Sequence, residues 1–204
     1  MKDLRWNVLD VSTTNPIDTL IARARSAQTA FERFSQEQVD AIAKDIGKHV
    51  YDNAERLARM AVDETGIGVY EDKVFKNKSK ARLIWNNLKG KKSRGIICED
   101  EDANMVLVAK PVGVIGALTP ITNPIVTPMC NAMFALKTGN AIIFSPSSKA
   151  KNCTETLVHE FMTIVKRHRG PDHLIQMIES GSRDLRNELM AKVDVIVATG
   201  GGAM

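Results

Sequence analysis

The sequence predicts an α/β protein in which an N-terminal helical layer and a β-hairpin precede a parallel sheet covered by helices. Three observations carry this reading. Residues 15 to 90 repeat apolar side chains at helical spacing, residues 91 to 111 change to two β-rich runs around an acidic turn, and the runs VGVIGAL, NAIIFS, HLIQMIE and VDVIVAT then alternate with helix-compatible segments. Strands that are apolar on both faces and separated by helices belong to a parallel sheet buried on both sides. The expected units are therefore a helical layer over 1–90, a hairpin over 91–112 and a sheet-forming portion over 113–204.

Each element has its own local signal. Asn15-Pro16 offers an N-cap followed by an N1 proline, and Ile17, Leu20, Ile21, Ala24, Phe31 and Phe34 follow on one face. Ser35 with Gln38 has the spacing of a capping box ahead of Val39, Ile42, Ile46 and Val50. Asp52 with Glu55 repeats that pattern ahead of Leu57, Ala58 and Ala61, and Gly66 supplies a stop. EDEDAN, residues 99 to 104, is acidic and turn-forming between RGIIC and MVLVAK, which predicts the hairpin. No internal repeat or low-complexity tract interrupts the chain.

Composition sets broad limits. The 204 residues are 44% hydrophobic and 25% charged, enough to build a core, and 28 basic against 24 acidic residues leave only a mild positive excess that favours no partner. Cys98, Cys130 and Cys153 are odd in number, widely spaced and outside any CxxC, so neither a disulfide framework nor a zinc site is expected. His49, His159, His168 and His173 are scattered, which adds no metal signal. The opening MKDLRWNVLD lacks the basic-then-apolar pattern of a signal peptide, and no apolar run approaches the roughly 18 residues of a membrane span. A cytoplasmic protein with no membrane partner is expected.

In a parallel sheet, ligands bind beyond the carboxyl ends of the strands, so the residues that follow each strand are the ones of interest. They are Thr119-Pro120-Ile121-Thr122-Asn123-Pro124, then Ser145-Pro146-Ser147-Ser148, then Thr199-Gly200-Gly201-Gly202. Three tips thus offer hydroxyls, an amide and bare backbone. The GxGxxG fingerprint is missing from the first turn, where only Gly113 and Gly116 occur, and GxxxxGK[ST] is missing throughout.

The run KPVGVIGALTPITNPIVTPMCNAMFALKTGNAIIFSPSSKAK, with DVIVATGGGAM, resembles the aldehyde dehydrogenase superfamily. It is most similar to the CoA-acylating branch, which includes the N-terminal part of bifunctional aldehyde-alcohol dehydrogenases. The resemblance spans about residues 15 to 204 and implies a Rossmann-like dinucleotide-binding portion. It implies NAD or NADP as cofactor, a small aldehyde and coenzyme A as co-substrates, and a homo-oligomer to whose interface the hairpin region contributes. Asn123 matches the asparagine whose amide helps hold the substrate carbonyl oxygen, with Pro124 fixing the turn; an Asn-Pro pair can also simply start a turn. Thr119, Pro120 and Ile121 are expected on the cofactor side of that turn. Ser145, Pro146 and Ser147 match the adenosine-side loop, although Ser147 could equally cap a helix starting near Lys149. Thr199, Gly200 and Gly201 match the turn that lets a helix N-terminus approach the pyrophosphate. SPSSKAK stands where nonacylating members carry Lys-Pro-Ser-Glu, so Ser145 replaces a ribose-contacting lysine and the NAD-or-NADP choice stays open.

The family nucleophile is a cysteine that lies beyond the TGG turn, and none of the three cysteines here aligns with it. The resemblance therefore implies the cofactor half of an acylating aldehyde dehydrogenase, truncated and inactive alone. A noncatalytic nucleotide-binding or assembly module is the alternative. One further feature, nine basic residues between Lys73 and Arg94 with no acid, could be a nucleic-acid footprint. A solvated helix face is the preferred reading, with Val74, Leu83, Ile84, Trp85 and Leu88 as its apolar side and Glu99 to Asp102 offsetting the charge; a role in drawing in CoA phosphates is a further expectation.

Overall fold

The structure is a computed structural model describing residues 15–179 and 182–201. Four helices come first: α1 (Pro16–Phe31), α2 (Gln36–Asp52), α3 (Ala54–Thr65) and α4 (Tyr70–Leu88). A hairpin of β1 (Gly95–Asp100) and β2 (Met105–Ala109) follows. The chain then runs through β3 (Val114–Thr119), α5 (Val126–Lys137), β4 (Ala141–Pro146), a 3-10 turn at Ser148–Ala150, α6 (Lys151–Arg167), β5 (Ile175–Met177), α7 (Arg183–Lys192) and β6 (Val195–Ala198).

Local chemistry explains most boundaries. The Asn15 side chain accepts the Ile17 N–H at 2.8 Å and Pro16 occupies N1, as expected of the α1 start. Ser35 and Gln38 close a full capping box on α2. Gly66 ends α3 in the left-handed region at φ 65°, where a side chain would be strained. Phe34 falls outside α1, which stops at Phe31, and packs its ring 4.8 Å from that of Phe31.

Three local expectations are corrected. Asp52 does not cap α3: it is the last residue of α2 and pairs with Lys48, and Asn53 precedes α3 without a side-chain bond. The turn between α2 and α3 is too tight for a second capping box, because its only linking residue, Asn53, donates back to the His49 carbonyl at 2.9 Å. Ser147 does not cap α6. Glu64 of α3 does so instead, its two carboxylate oxygens accepting the Asn152 and Cys153 N–H groups, each at 2.7 Å. On α4, Leu83 is exposed while Lys73, Asn77 and Ala81 point inward, with Ile84, Trp85 and Leu88 half-buried against the core. Lys78 pairs with Glu55 of α3 at 3.1 Å.

The main sheet is parallel, in the order β5-β4-β3-β6. The crossovers from β3 to β4 and from β4 to β5 step one way, with α5 and α6 packed together over these strands; the return from β5 to β6 steps the other way, which for connections of the usual right hand puts α7 on the opposite face. There α7 meets α1, which lies across β3, β4 and β5, while α2 packs behind α5 and α6. One buried cluster consequently joins Ile17 and Phe31 of α1, Ile42 and Ile46 of α2, Phe144 of β4, Phe161 of α6 and Leu189 of α7. The β3 and β4 residues are nearly all buried, whereas β6 is an edge strand with Val195 and Ile196 exposed.

The start of the sheet is fixed by Asp194. Its Oδ2 accepts the Val114 N–H at 2.8 Å and an Arg25 N–H at 2.9 Å, tying β3, β6 and α1 together. Gly113 lies beside it at φ 121°, and a Cβ there would run into the Asp194 carboxylate. Burial pushes the Asp194 carboxyl up, but the Arg25 guanidinium and the Val114 N–H outweigh it and hold the group below the usual aspartate range.

Candidate active site

Strand order reverses between β3 and β6: the chain first moves from β3 towards β5 and then returns to the other side of β3. Such a switch point opens a crevice at the carboxyl ends of the two strands. Two backbone bonds hold the tips level with one another. The Ser147 N–H donates to the Thr119 carbonyl and the Thr199 N–H to the Leu118 carbonyl, both at 3.1 Å.

The result is a cleft of about 510 Å³. Thr119, Pro120, Ile121, Asn123, Ser145, Ser147, Thr199, Gly200 and Gly201 all line it. Of the residues expected there, Pro146 is the exception; it ends β4 as a buried strand residue. Gly202 lies outside the described residues. Thr122, Ser148 and Arg186 line the cleft as well. Arg186 had no signal in the local sequence, because it sits in the first turns of α7 and reaches the cleft only through the β5-to-β6 crossover.

Asn123 stands in the turn between β3 and α5, with Pro124 buried behind it. Its Nδ2 donates to Thr122 Oγ1 at 3.3 Å, and its Oδ1 accepts from Lys76 Nζ of α4 at 3.2 Å. Lys73, one helical turn earlier, donates to the Thr122 carbonyl at 3.3 Å. Burial, with the charge of Lys76 nearby, pushes the Lys73 ammonium below the usual lysine range. Two members of the basic segment thus support the Asn123 turn, Lys73 from a buried position and Lys76 from an exposed one.

The donor set suits an adenine dinucleotide. Ser145 is 2% exposed, and its hydroxyl is buried against the cleft with no hydrogen-bond partner among the described residues. A Cβ on Gly201 would meet nothing within 4 Å, so no protein neighbour requires glycine there, and the space is left for a ligand. No carboxylate lines the cleft among the described residues, which favours phosphate.

None of the cysteines lines it. Cys98 is exposed on the hairpin, and Cys130 and Cys153 lie on α5 and α6. Burial pushes the Cys130 thiol up to about 11, and burial together with the Glu64 carboxylate pushes Cys153 up as well. No group of three or more His, Cys, Asp or Glu able to hold a metal ion occurs among the described residues, and no described helix is long and apolar enough to cross a membrane.

Residues 6–204 match the aldehyde dehydrogenase family. The chain belongs to that family. Among curated relatives it is similar to the succinate-semialdehyde dehydrogenase (acetylating) of Clostridium kluyveri, at 51% identity over 91% of this chain and 41% of the relative. Among solved structures it is similar to an acetylating aldehyde dehydrogenase from Geobacillus thermoglucosidasius, with a TM-score of 0.88 and 36% identity over 92% of this chain and 42% of that one. It is also similar to an engineered glycolyl-CoA reductase solved with bound NADP+, with a TM-score of 0.76 and 30% identity over 92% and 43% of the respective chains. The chain therefore spans about two fifths of the length of these family members.

Proposed function

We propose that the chain forms the cofactor-binding part of an NAD(P)-dependent, CoA-acylating aldehyde dehydrogenase, which converts an aldehyde, CoA and NAD(P)+ into an acyl-CoA and NAD(P)H. The observation that carries this reading is the single cleft that gathers Asn123 and all three strand tips at the switch point of the sheet. The acylating relatives support the reaction class, and the neighbour with bound NADP+ supports the cofactor class.

When bound, the nicotinamide cofactor accepts the hydride that leaves the aldehyde carbon. The part of this chain is to hold and polarise. Thr199, Gly200 and Gly201 present backbone to the pyrophosphate, while Ser145 and Ser147 face the adenosine. The Asn123 amide donates to the carbonyl oxygen as negative charge develops there, with its own oxygen already engaged by Lys76. None of Cys98, Cys130 and Cys153 lines the cleft, and burial pushes the Cys130 and Cys153 thiols up, so the attacking thiolate is assigned to a cysteine outside these 204 residues. In the intact enzyme the exposed apolar hairpin joins a homo-oligomer interface. The polar strand tips around one cleft favour this over a purely assembling module, which would have no use for an unpaired buried hydroxyl at Ser145.

Calorimetric titration of the chain with NAD+ and NADP+ tests the reading. Binding of at least one dinucleotide more tightly than inorganic phosphate or sulfate is expected, weakened by Gly201→Ala without loss of folding. Dinucleotides that bind no better than those anions would overturn it.

A further inference from the structure

The cofactor cleft uses only part of the basic segment from Lys73 to Arg94. Lys73 and Lys76 support the Asn123 turn, Lys78 pairs with Glu55, and Arg94 donates to the Glu32 carbonyl. Lys80, Arg82, Lys89, Lys91 and Lys92 are exposed and form no ion pair among the described residues, not even with the nearby acids Glu99 to Asp102. Their charge stays free.

Part of that charge borders an apolar groove. Helices α2 and α4 run antiparallel, with Asn77 donating to the Ala54 carbonyl at one end and Gln36 meeting Ser93 at the other. Gly47 and Ala81 are both buried at the crossing, and their small size leaves a groove of about 240 Å³ that Tyr51 and Trp85 also line. Lys44 and Lys48, one turn apart on α2, and Arg82 on α4 form its rim. Lys48 pairs with Asp52, whereas Lys44 and Arg82 have no acidic partner among the described residues. The other acids of α2 are engaged elsewhere: Glu37 with the Ser35 hydroxyl, Asp40 with Lys137 and Asp45 with His168.

The lining selects the class of occupant. Apart from the three cations and the Tyr51 hydroxyl, no polar side chain lines the groove. A nucleobase stacked there would turn most of its ring donors and acceptors towards carbon, and burying them unpaired costs free energy. A large apolar side chain meets no such penalty. Ligand pockets usually measure about 300–1,000 Å³, so this smaller groove suits one side chain rather than a whole cofactor. Protein interfaces are commonly anchored by a single buried aromatic or aliphatic group, with charge pairs at the rim that set partner choice. We propose that the α2–α4 groove docks an acidic segment of a partner protein, one large apolar side chain seated against Tyr51 and Trp85 and carboxylates flanking it at Lys44 and Arg82. None of these residues lines the cofactor cleft, so the docking site stands or falls independently of the cofactor reading.

Calorimetry on the whole chain at low salt with the synthetic peptide DEDFEDE tests it. Replacing the peptide's phenylalanine by serine, DEDSEDE, should weaken binding about tenfold or more, the scale of burying one large apolar side chain. Lys44→Glu combined with Arg82→Glu, both at exposed positions, should weaken DEDFEDE about tenfold, as lost rim pairs and new repulsion do. Tyr51→Ser should narrow the gap between the two peptides. Trp85 is kept, because it packs against the core, and unfolding midpoints check that the other variants stay folded. No detectable binding of DEDFEDE, equal binding of DEDSEDE, or an affinity that survives the double substitution would overturn the docking site. Oligothymidylate that binds more tightly than DEDFEDE, and loses that affinity in the double variant, would overturn it in favour of single-stranded nucleic acid.

Discussion

Asn123 can act on a developing oxyanion only if its amide offers Nδ2 rather than Oδ1 to the substrate, and Lys76 determines which. An ammonium has donors and no acceptor, so the oxygen that sits 3.2 Å from Lys76 Nζ must be Oδ1, and Nδ2 is left with one hydrogen on Thr122 and one free. In the intact enzyme, Asn123→Ala should lower kcat about 100-fold to 1000-fold while changing cofactor affinity little, because the amide works only near the transition state. Lys76→Met should cause a smaller loss in the same parameter, up to about tenfold, since it loosens the amide without removing it. Steady-state kinetics with separate dinucleotide titrations would check both, and near-normal turnover in Asn123→Ala would leave the residue as a turn former.

At the scale of elements, two carboxylates do more than their sequence neighbourhoods suggest. Glu64, near the end of α3, closes the start of α6 by taking two backbone N–H groups that the helix cannot satisfy itself. Glu64→Ala should therefore cost about 1–2 kcal/mol in urea unfolding, as loss of a good N-cap does, with the negative charge at the helix start adding to it. No measurable change would mean that solvent serves those groups equally well. Asp194 ties β3 and β6 to α1, and its carboxyl is held below its unfolded value. A depressed carboxyl stabilises the fold above its unfolded pKa of about 4 and loses that contribution as the pH falls through the lower folded value. Stability should thus decline below about pH 4 in the parent chain, and Asp194→Asn should be less stable at neutral pH with a shallower acid limb. Unfolding midpoints measured across that range would reveal a wrong sign directly.

For the molecule as a whole, the hairpin and the β6 edge expose apolar side chains among the described residues. Met105, Val106 and Leu107 of β2 are 62%, 58% and 59% exposed, and the β6 edge leaves Ile196 at 48%. An unpaired strand edge and a hairpin that buries little of its apolar surface both favour association. Light scattering on the chain should find species larger than the monomer, and Leu107→Lys combined with Ile196→Lys should shift the population towards monomer without unfolding it. A parent chain that stays monodisperse and monomeric with concentration would remove this expectation.

The sequence by itself determined the succession of elements and the residues at the strand tips. Helical spacing, the Asn15-Pro16 start, the Ser35–Gln38 box, Gly66 and the apolar strand runs are all short-range signals, and short-range physics is what a sequence displays. Thr119, Asn123, Ser145 and Thr199 were legible for the same reason: each stands at or shortly beyond the carboxyl end of its own strand, and a parallel sheet sends all such ends to one edge. Only the tertiary structure decided which distant groups meet. Asp52 and Ser147 have capping chemistry, yet the tight α2–α3 turn and the reach of Glu64 from α3 assign those tasks elsewhere. Lys73 looks like a member of a solvated basic face until α4 packs and buries it beneath the Asn123 turn, while Lys76 stays exposed and reaches the same turn from the surface. Arg186 enters the cleft only because the crossover from β5 to β6 carries α7 back past the sheet edge. A helix or strand can form from neighbours in the chain, but which orphan donor finds which acceptor depends on how the elements are stacked, and that is fixed only when the shared core closes.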